Sequence, residues 1–158
     1  MDELQDIFQW DEFRYTKSVA GEQYEITIVG YCGAEASVSF PACIDESPVT
    51  AIGDGNVSVF KSNGNVETVI VPKGITIINA RAFSGSRKLK KVLLPSSVSS
   101  IGEAVFCGCK KLKTIKLPEI NEISDDLFRT SGISKINLPD SVIRIGKRSF
   151  EGTDLRKC

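Results

Sequence analysis

The sequence predicts a repeat solenoid, and two observations carry that prediction. The pattern L-x-x-I-x-L-P-x-x-(I/V)-x-x-I-(G/N)-x-x-x-F recurs four times, and its closing phenylalanines are spaced 22 or 23 residues apart. Self-similarity at a fixed period of this length is typical of a coil whose turns stack and share one apolar core, because a single turn cannot bury its own apolar face. The four matches are Val66–Phe83, Leu89–Phe106, Leu112–Phe128 and Ile133–Phe150.

Residues 1–23 are predicted to form an N-terminal cap, and residues 24–158 a solenoid of about five repeats with its last repeat open-ended. Two segments that alternate apolar and polar residues flank Ala20-Gly21-Glu22 and predict a hairpin. The apolar members of these segments are Phe13, Tyr15, Tyr24, Ile26 and Ile28. A terminal unit of this kind covers the apolar end of the first repeat, which a solenoid needs for solubility.

Each regular repeat offers two short strands. In the repeat that begins at Leu89, the first strand ends at Pro95, because proline has no N–H to donate to a ladder. The second strand directs Val98 and Ile101 inward. Stacked in register, these strands are expected to form two narrow parallel ladders along a right-handed coil of the leucine-rich-repeat type.

Helical or 3-10 turns are expected at two places. Gly102 permits the chain to turn into residues 103–106, which read as one such turn in each repeat. Leu4, Ile7 and Phe8 fall at helical spacing and predict a short helical turn before the hairpin.

The phenylalanines that follow the repeat turns are expected to stack as an aromatic spine, which consists of Phe83, Phe106, Phe128 and Phe150.

A family resemblance rests on residues 94–109, LPSSVSSIGEAVFCGC, in which a strand ending in leucine-proline precedes an SVxxIGxxAF motif and a small residue or cysteine. The lead-in ITIVGY at Ile26–Tyr31 fits the opening strand of the same domains. On these residues the chain resembles the BspA-type bacterial leucine-rich repeat proteins over about residues 24–155. The resemblance implies a solenoid fold and a surface or secreted binder used in adhesion to host or neighbouring cells.

Composition argues against an enzyme and against a metal or cofactor site. The chain has no histidine, which removes Ser-His-Asp and Cys-His catalysis and the commonest general base. Five cysteines, an odd number, favour reduced thiols, with Cys109 as a small core filler, and no second pair joins Cys107 and Cys109 at zinc-site spacing. The carboxylates crowded into one repeat are expected to form a solvated face; they are Glu119, Glu122, Asp125 and Asp126.

No targeting or membrane signal is apparent. No apolar run approaches the roughly 18 residues needed to cross a bilayer, so membrane insertion is not expected. The first residues, MDELQDIFQW, are acidic and lack the basic and apolar regions of a secretory signal. The chain as written is therefore expected in the cytoplasm, and at the cell surface or outside the cell if it is a fragment of a longer protein.

Charge is divided sharply along the chain. Residues 1–60 hold two Lys/Arg against 11 Asp/Glu, a balance of −9, and residues 61–158 hold 18 against nine, a balance of +9. Five of the 12 outward positions on the first strands of the regular repeats are lysines. The lysines either keep a repetitive sheet soluble, or recruit an acidic protein or other polyanion, or contact the acidic cap of a second copy. The candidate partner-binding residues are Lys90, Lys91, Leu93, Lys113, Lys116 and Lys135.

The favoured function is a non-catalytic protein-binding module that presents this lysine-rich ladder. The lysine strip has no aromatic residues for base stacking, which argues against sequence-specific nucleic-acid binding. The alternative is a structural unit that forms homo-oligomers, because Leu155-Arg156-Lys157-Cys158 repeats the start of a strand and leaves the last repeat's apolar end uncovered. Leu155 and Cys158 are the candidate residues for that self-association.

Overall fold

The computed structural model describes residues 5–156, and all regular secondary structure in that range is β. The two longest strands, of eight and nine residues, form the N-terminal hairpin. Its sequence alternates apolar and polar residues and contains no proline. In the regular repeats after residue 60, proline and glycine leave room for only two or three residues per strand. The strands are β1 (Phe8–Trp10), β2 (Phe13–Ala20), β3 (Gln23–Tyr31), β4 (Ser37–Ser39), β5 (Cys43–Ile44), β6 (Ser47–Ile52), β7 (Thr68–Ile70), β8 (Ile77–Ile78), β9 (Lys91–Leu93), β10 (Ser100–Ile101), β11 (Glu122–Ile123) and β12 (Arg144–Ile145).

The hairpin leads directly into one ladder of a β-solenoid of about five turns. The sheet has the order β1-β2-β3-β6-β8-β10, and pairing changes from antiparallel to parallel after β3; β5 pairs with β6 at the side. Ala20 pairs with Gln23, so Gly21 and Glu22 form a two-residue turn, with Gly21 at φ 65°. The predicted hairpin is therefore confirmed.

The predicted helical turn before the hairpin is wrong. Phe8 lies in strand β1, which pairs antiparallel with β2, and Ile7 precedes that strand; Leu4 lies outside the described residues. The Phe8 ring stacks on Tyr15 with their centroids 5.6 Å apart. Apolar spacing over a few residues cannot distinguish a helix from a strand, and here a neighbouring strand with free hydrogen-bonding groups decided the outcome.

A second ladder contains the first strands of successive turns, in the order β4-β7-β9. Its strands are parallel, and Val38, Val69 and Val92 lie side by side with their side chains in the core. Beyond β9 the structure shows one further parallel bridge, between Lys116 and Asn137. The predicted pair of narrow parallel ladders is thus present.

The third side of the coil consists of turns, not of helices. No helix is assigned within residues 5–156, so the expected helical turns are hydrogen-bonded turns instead. The same position in successive repeats has a left-handed backbone, with φ between 53° and 61° at Arg81, Ala104, Asp126 and Arg148. A residue in this conformation stops a right-handed helix from continuing.

The closing phenylalanines form the predicted aromatic spine. Successive ring centroids from Phe83 to Phe150 lie 5.9, 5.5 and 5.5 Å apart, and Phe60 extends the stack at 5.6 Å from Phe83. Phe106 and Phe128 are fully buried. Cys109 is also in the core, where it donates a hydrogen bond to the Phe83 carbonyl, and burial raises the pKa of its thiol to about 12.

Both strand ladders are interrupted at the boundary between the repeats that contain Pro95 and Pro118. Among the described residues, no backbone hydrogen bond joins β10 to β11, or β9 to residues 114–116. The repeat of Pro118 is one residue shorter here, since Ile101 follows its proline by six positions and Ile123 follows Pro118 by five, although β11 still pairs with β12 on its other side. The turn side stays continuous, since the Phe106 N–H donates to the Leu127 carbonyl at 2.9 Å.

Candidate interaction surfaces

The first-strand ladder and its extension beyond β9 form one candidate surface, here called the basic strand face. Parallel pairing sets Lys91 beside Thr68 and Leu93 beside Ile70. Neighbouring strands are about 4.8 Å apart, so the outward side chains of adjacent strands form columns. Lys91 and Leu93 belong to the continuous sheet, and Lys90 directly precedes its strand β9. The other candidate residues lie beyond the interrupted boundary; they are Lys113, Lys116 and Lys135.

Ion pairing divides the lysines of this face into two classes. Lys90 Nζ lies 2.8 Å from Glu67 Oε2, and Lys113 Nζ lies 2.9 Å from Asp154 Oδ2. Hydrogen bonding to the lysine is the main cause that lowers the pKa of Glu67, and the same holds for the pKa of Asp154. These two lysines are therefore already paired with carboxylates of the chain.

The remaining lysines of the face are Lys91, Lys116 and Lys135, and none of them forms an ion pair within residues 5–156. All three side chains are exposed, and Leu93 beside them is 44% exposed. The unpaired charge of the face thus comes from these lysines, with one apolar side chain among them.

A shallow groove of about 390 Å³ lies on the same face, at its C-terminal part. Lys116 and Lys135 contribute to its wall, and the buried Ile115 and Leu117 to its floor. Glu119 also lines the groove, and it accepts a hydrogen bond from Ser141 at 2.9 Å. The groove therefore combines two cations and one carboxylate with apolar surface.

Three of the four carboxylates that crowd the fourth repeat, Glu122, Asp125 and Asp126, are paired with arginines of the next turn. Arg148 Nε and a terminal nitrogen of its guanidinium lie 2.9 and 2.7 Å from the two Asp126 oxygens, and Arg144 lies 2.9 Å from Glu122. The bond to Arg148 is the main cause that lowers the pKa of Asp126, and it raises the pKa of Arg148. The expectation of a solvated position is wrong for Asp126, whose side chain is only 9% exposed.

These ion pairs were missed in the sequence, although a signal for them exists there. Opposite charges one repeat period apart face each other across neighbouring turns, as directly opposed residues do in a sheet. Such pairs are separated by 22 or 23 residues: Glu67 with Lys90, Arg81 with Glu103, Glu122 with Arg144, Asp126 with Arg148, and Arg129 with Glu151.

The C-terminal end of the coil exposes apolar side chains, and the surface is here called the tail surface. Ile143 is 88% exposed and Ile145 is 56% exposed, and Leu138 and Leu155 also reach solvent. Ile133, the first residue of the same repeat, is fully buried. Leu155, one of the two candidate self-association residues, is thus exposed at this end, and Cys158, the other, lies outside the described residues.

The N-terminal end exposes a second group of apolar side chains, here called the head surface. It consists of Ile7, Phe8 and Trp10, on and beside strand β1. Lys17 Nζ lies over the Phe8 ring, 5.4 Å from its centroid, and so covers part of one ring face. No acidic residue between positions 5 and 60 forms an ion pair with any described residue.

No group of three or more Cys, Asp or Glu side chains within residues 5–156 is arranged to hold a metal ion. In that part of the chain there is also no helix with the length and apolarity to cross a membrane. Cys32 and Cys43 are exposed free thiols, whereas Cys107 is partly buried.

The repeat pattern matches a known family. Six copies of the BspA type leucine-rich repeat region are recognised across residues 46–158. The chain belongs to the BspA-type leucine-rich repeat family. Proteins of the wider leucine-rich-repeat class generally mediate protein interactions. No curated protein matches this BspA-type chain.

Solved structures of bacterial leucine-rich repeat proteins share the fold. The BspA-type chain is 26% identical to the leucine-rich repeat protein of T. pallidum, with a TM-score of 0.79 over 95% of this chain and 69% of that one. A leucine-rich cell surface protein of Faecalibacterium prausnitzii is 25% identical, with a TM-score of 0.73 over 98% of this chain. A Bacteroides ovatus protein is also 25% identical, with a TM-score of 0.73 over 90% of this chain. The chain spans only 48% and 38% of these last two proteins.

Proposed function

We propose that this chain is a non-catalytic protein-binding module that presents its basic strand face to an acidic partner protein. One observation carries the proposal: Lys91, Lys116 and Lys135 lie on one strand face and form no ion pair in the described chain, whereas Lys90 and Lys113 of the same face are paired with Glu67 and Asp154. An exposed leucine, Leu93, accompanies them and supplies apolar contact. Positive charge without an internal partner attracts an acidic surface and accelerates its encounter with the chain.

The backbone beneath the face favours binding because it is ordered in advance. Lys91 and Leu93 lie on a strand whose neighbours are joined to it by parallel pairing, and Lys116 is bridged to Asn137. Little backbone entropy is then lost when a partner docks, so more of the interaction free energy is retained as affinity. The residues proposed to contact the partner are Lys90, Lys91, Leu93, Lys113, Lys116 and Lys135, of which Lys90 and Lys113 would first have to leave their carboxylates.

The proposal is tested with fluorescent polyglutamate as an acidic probe and a triple variant, Lys91→Glu with Lys116→Glu and Lys135→Glu. We expect at least a tenfold loss of affinity, together with a steep salt dependence for the unmodified chain. A matched control reverses three exposed lysines elsewhere, Lys61→Glu with Lys73→Glu and Lys147→Glu, and gives the same net charge. Equal losses in both variants would mean that net charge alone attracts the probe, and the proposal would fail.

The cellular setting proposed for this binding is adhesion at a cell surface. Its support is the family membership and the description of the similar F. prausnitzii protein as a cell surface protein. An immunoblot of fractionated source cells with an antibody to this chain checks it, and we expect the band in the envelope fraction or the medium. A band confined to the cytosolic fraction would contradict the adhesion role and leave the binding function to intracellular partners.

A second candidate function is self-association through the tail surface. The observation in its favour is the exposure of Ile143 and Ile145 beside Leu155 at one end of the coil. Contiguous apolar side chains at an end of a repeat stack favour association. Leu155 and Cys158 are proposed to take part. Light scattering over a range of concentrations tests it, and we expect an average mass that rises above 17.2 kDa.

A further inference from the structure

We propose that Asn56 is an acceptor site for an N-linked oligosaccharide. The proposal rests on the cell-surface setting proposed for this chain, because such oligosaccharides are attached to proteins that leave the cytosol. Asn56-Val57-Ser58 fits the acceptor motif Asn-x-Ser/Thr, in which the middle residue is not proline. A site of this kind has two requirements. A transferase must recognise the motif, and the folded chain must leave room for a bulky glycan.

The motif lies in a loop that lengthens one turn of the coil. Ile52 and Ile78 are register partners in adjacent turns. Phe60 nevertheless follows Ile52 by eight positions, whereas Phe83 follows Ile78 by five. The turn after β6 is therefore three residues longer than the next one. Insertions of this kind are accommodated on the surface, where they are common carriers of function.

The inserted loop is held on the turn side of the coil. The Val59 N–H donates a hydrogen bond to the Ala82 carbonyl at 2.9 Å, and the Arg81 guanidinium donates to the Gly55 carbonyl at 3.4 Å. Arg81 and Ala82 belong to the turn of the following repeat, which the basic strand face does not include. A glycan on this loop would therefore leave the proposed protein-binding face uncovered.

The tip of the loop is open to solvent at the acceptor. Asn56 is exposed, and Val57 beside it is 41% exposed. A Cβ added at Gly55 would meet no other part of the chain within 4 Å, its immediate neighbours aside. An oligosaccharide joined to the Asn56 amide can thus extend into solvent without displacing any element of the coil. It would also shield the apolar side chain of Val57 from other molecules.

Asp54, not Asn56, stabilises the backbone of the loop. Asp54 Oδ1 accepts hydrogen bonds from the N–H groups of Asn56 and Val57, at 2.8 and 3.1 Å. Aspartate side chains commonly hold turns in this way. The Asn56 amide itself donates one long bond in the described chain, of 3.5 Å to the Asp54 carbonyl. Modification of the Asn56 nitrogen therefore removes little that holds the loop.

The Ser58 hydroxyl, which the motif requires, is bonded within the folded turn. It donates to the Ala82 carbonyl at 3.3 Å and accepts from the Phe60 N–H at 3.2 Å. A transferase that binds this hydroxyl must meet it before the turn closes. We therefore expect transfer to the chain during export, and the exposed loop then accommodates the glycan in the folded protein.

The transfer is a substitution at a sugar carbon. The donor is an oligosaccharide whose anomeric carbon is joined to a lipid-linked diphosphate. A bond forms between Asn56 Nδ2 and this carbon, and the bond between the carbon and the diphosphate oxygen breaks. The lipid diphosphate leaves with the electron pair, and a proton of Nδ2 passes to a base of the transferase. No oxidant or reductant takes part.

Asn65 offers a matched control within the chain. Asn65-Val66-Glu67 has the same first two residues and an exposed asparagine, but a glutamate stands where the motif needs a hydroxyl. Trypsin separates the two asparagines, since Asn56 falls in the peptide of residues 18–61 and Asn65 in that of residues 62–73. Asn56 is the only asparagine of the first peptide.

The first experiment measures whether Asn56 accepts a glycan. The full chain is expressed behind a secretion signal in a eukaryotic host, whose dolichyl diphosphate oligosaccharide serves as the donor. We expect saccharide mass on residues 18–61 and a mobility shift that peptide-N-glycosidase removes. Asn56→Gln and Ser58→Ala should abolish the glycan, whereas Ser58→Thr and Asn65→Gln should retain it. A chain secreted without a glycan, or a glycan that survives Asn56→Gln, would overturn the inference.

The second experiment measures occupancy in the source cells, by mass spectrometry of the chain captured from each cell fraction. We expect saccharide mass on residues 18–61 of the chain from the envelope or the medium. An envelope chain with an unmodified Asn56 would overturn the inference and leave the surface setting standing. A chain confined to the cytosol with an unmodified Asn56 would overturn both.

Binding by the basic strand face is measured separately on Asn56→Gln. Because the loop lies on the turn side, this variant should bind polyglutamate with the affinity of the unmodified chain. A loss of glycan with unchanged binding supports the separation of the two sites. A tenfold loss of binding in Asn56→Gln would contradict the inference that a glycan at this position leaves the basic strand face uncovered.

Discussion

Residues 5–60 and residues 61–156 build the same coil by different means. The first region has the long strands and the antiparallel hairpin, and none of its residues forms an ion pair in the described chain. The second region has strands of two or three residues, and all of the ion pairs join its residues. Aromatic rings pack in both regions, but sheet hydrogen bonds dominate the first, whereas charge pairing across turns accompanies shorter ladders in the second.

Backbone pairing between strands is not needed at every boundary to hold neighbouring turns together. At the interrupted boundary between the repeats of Pro95 and Pro118, the strand faces lose their mutual backbone bonds, yet the Phe106 and Phe128 rings stack at 5.5 Å across it. The spine and the turn side therefore maintain the stack where the strands do not. Changes to a spine ring, a turn glycine and an ion pair, together with the reactivity of the thiols, test how the two regions differ.

The largest effect is expected from Phe106→Ala. Its ring is fully buried between Phe83 and Phe128 and crosses the interrupted boundary. Truncating such a ring removes its burial and leaves a cavity, so the free energy of unfolding should fall by about 3–5 kcal/mol in urea titrations. Phe150→Ala, at the partly buried end of the spine, should cost distinctly less. Equal losses of unfolding free energy at the two positions would mean that ring stacking stabilises the interrupted boundary no more than it stabilises the end of the spine.

A smaller loss is expected from Gly102→Ala. A Cβ at this position would lie 2.5 Å from the Ala80 nitrogen and 2.9 Å from its Cα, which is backbone of the preceding turn. The turns would have to separate, and overpacking of this kind costs about 1–3 kcal/mol of unfolding free energy. Gly64→Ala is the matched control, since its Cβ would meet no atom within 4 Å, and a change within about 0.5 kcal/mol is expected there. Urea unfolding measures both.

A pH-dependent effect is expected from Asp126→Asn. Because Arg148 lowers the pKa of Asp126 in the folded chain, the carboxylate stabilises the fold above its ordinary pKa of 3.8, and that contribution is lost as the pH falls through the lowered value. The urea midpoint of the variant should therefore lie below that of the wild type at neutral pH, and the two should converge in acid. A difference that is independent of pH would assign the effect to packing instead of charge.

The smallest expected effect is one of reactivity and leaves stability unchanged. Cys32 and Cys43 of the first region are exposed and should react readily with Ellman's reagent in the folded chain. Cys109 is buried beside the spine with a pKa raised to about 12, so it should react only when the chain is unfolded. Peptide mass mapping of the labelled sites checks this order. Rapid labelling of Cys109 in the native chain would indicate that the spine opens readily.

Much of the fold followed from the sequence because solenoid patterning is local and repeated. The inward positions of each repeat, the stacked phenylalanines and the hairpin could all be inferred from polarity and period. The candidate binding residues were inferred from the same outward positions, but their ion pairs within the chain were not. Lys90 and Lys113 are paired with Glu67 and Asp154, and the second of these pairs spans 41 residues, which is not one repeat period.

The sequence alone determined the number and stacking of the turns, since each apolar position is buried by its counterpart one repeat away. Only the tertiary structure decided which lysines remain without carboxylates, where the ladders are interrupted, that residues near Phe8 form an edge strand, and that Ala104 and its counterparts adopt a left-handed backbone. The physical reason is that polarity specifies which side of the chain is buried. Charge pairing, edge pairing and turn conformation depend on which groups of another turn come within bonding distance.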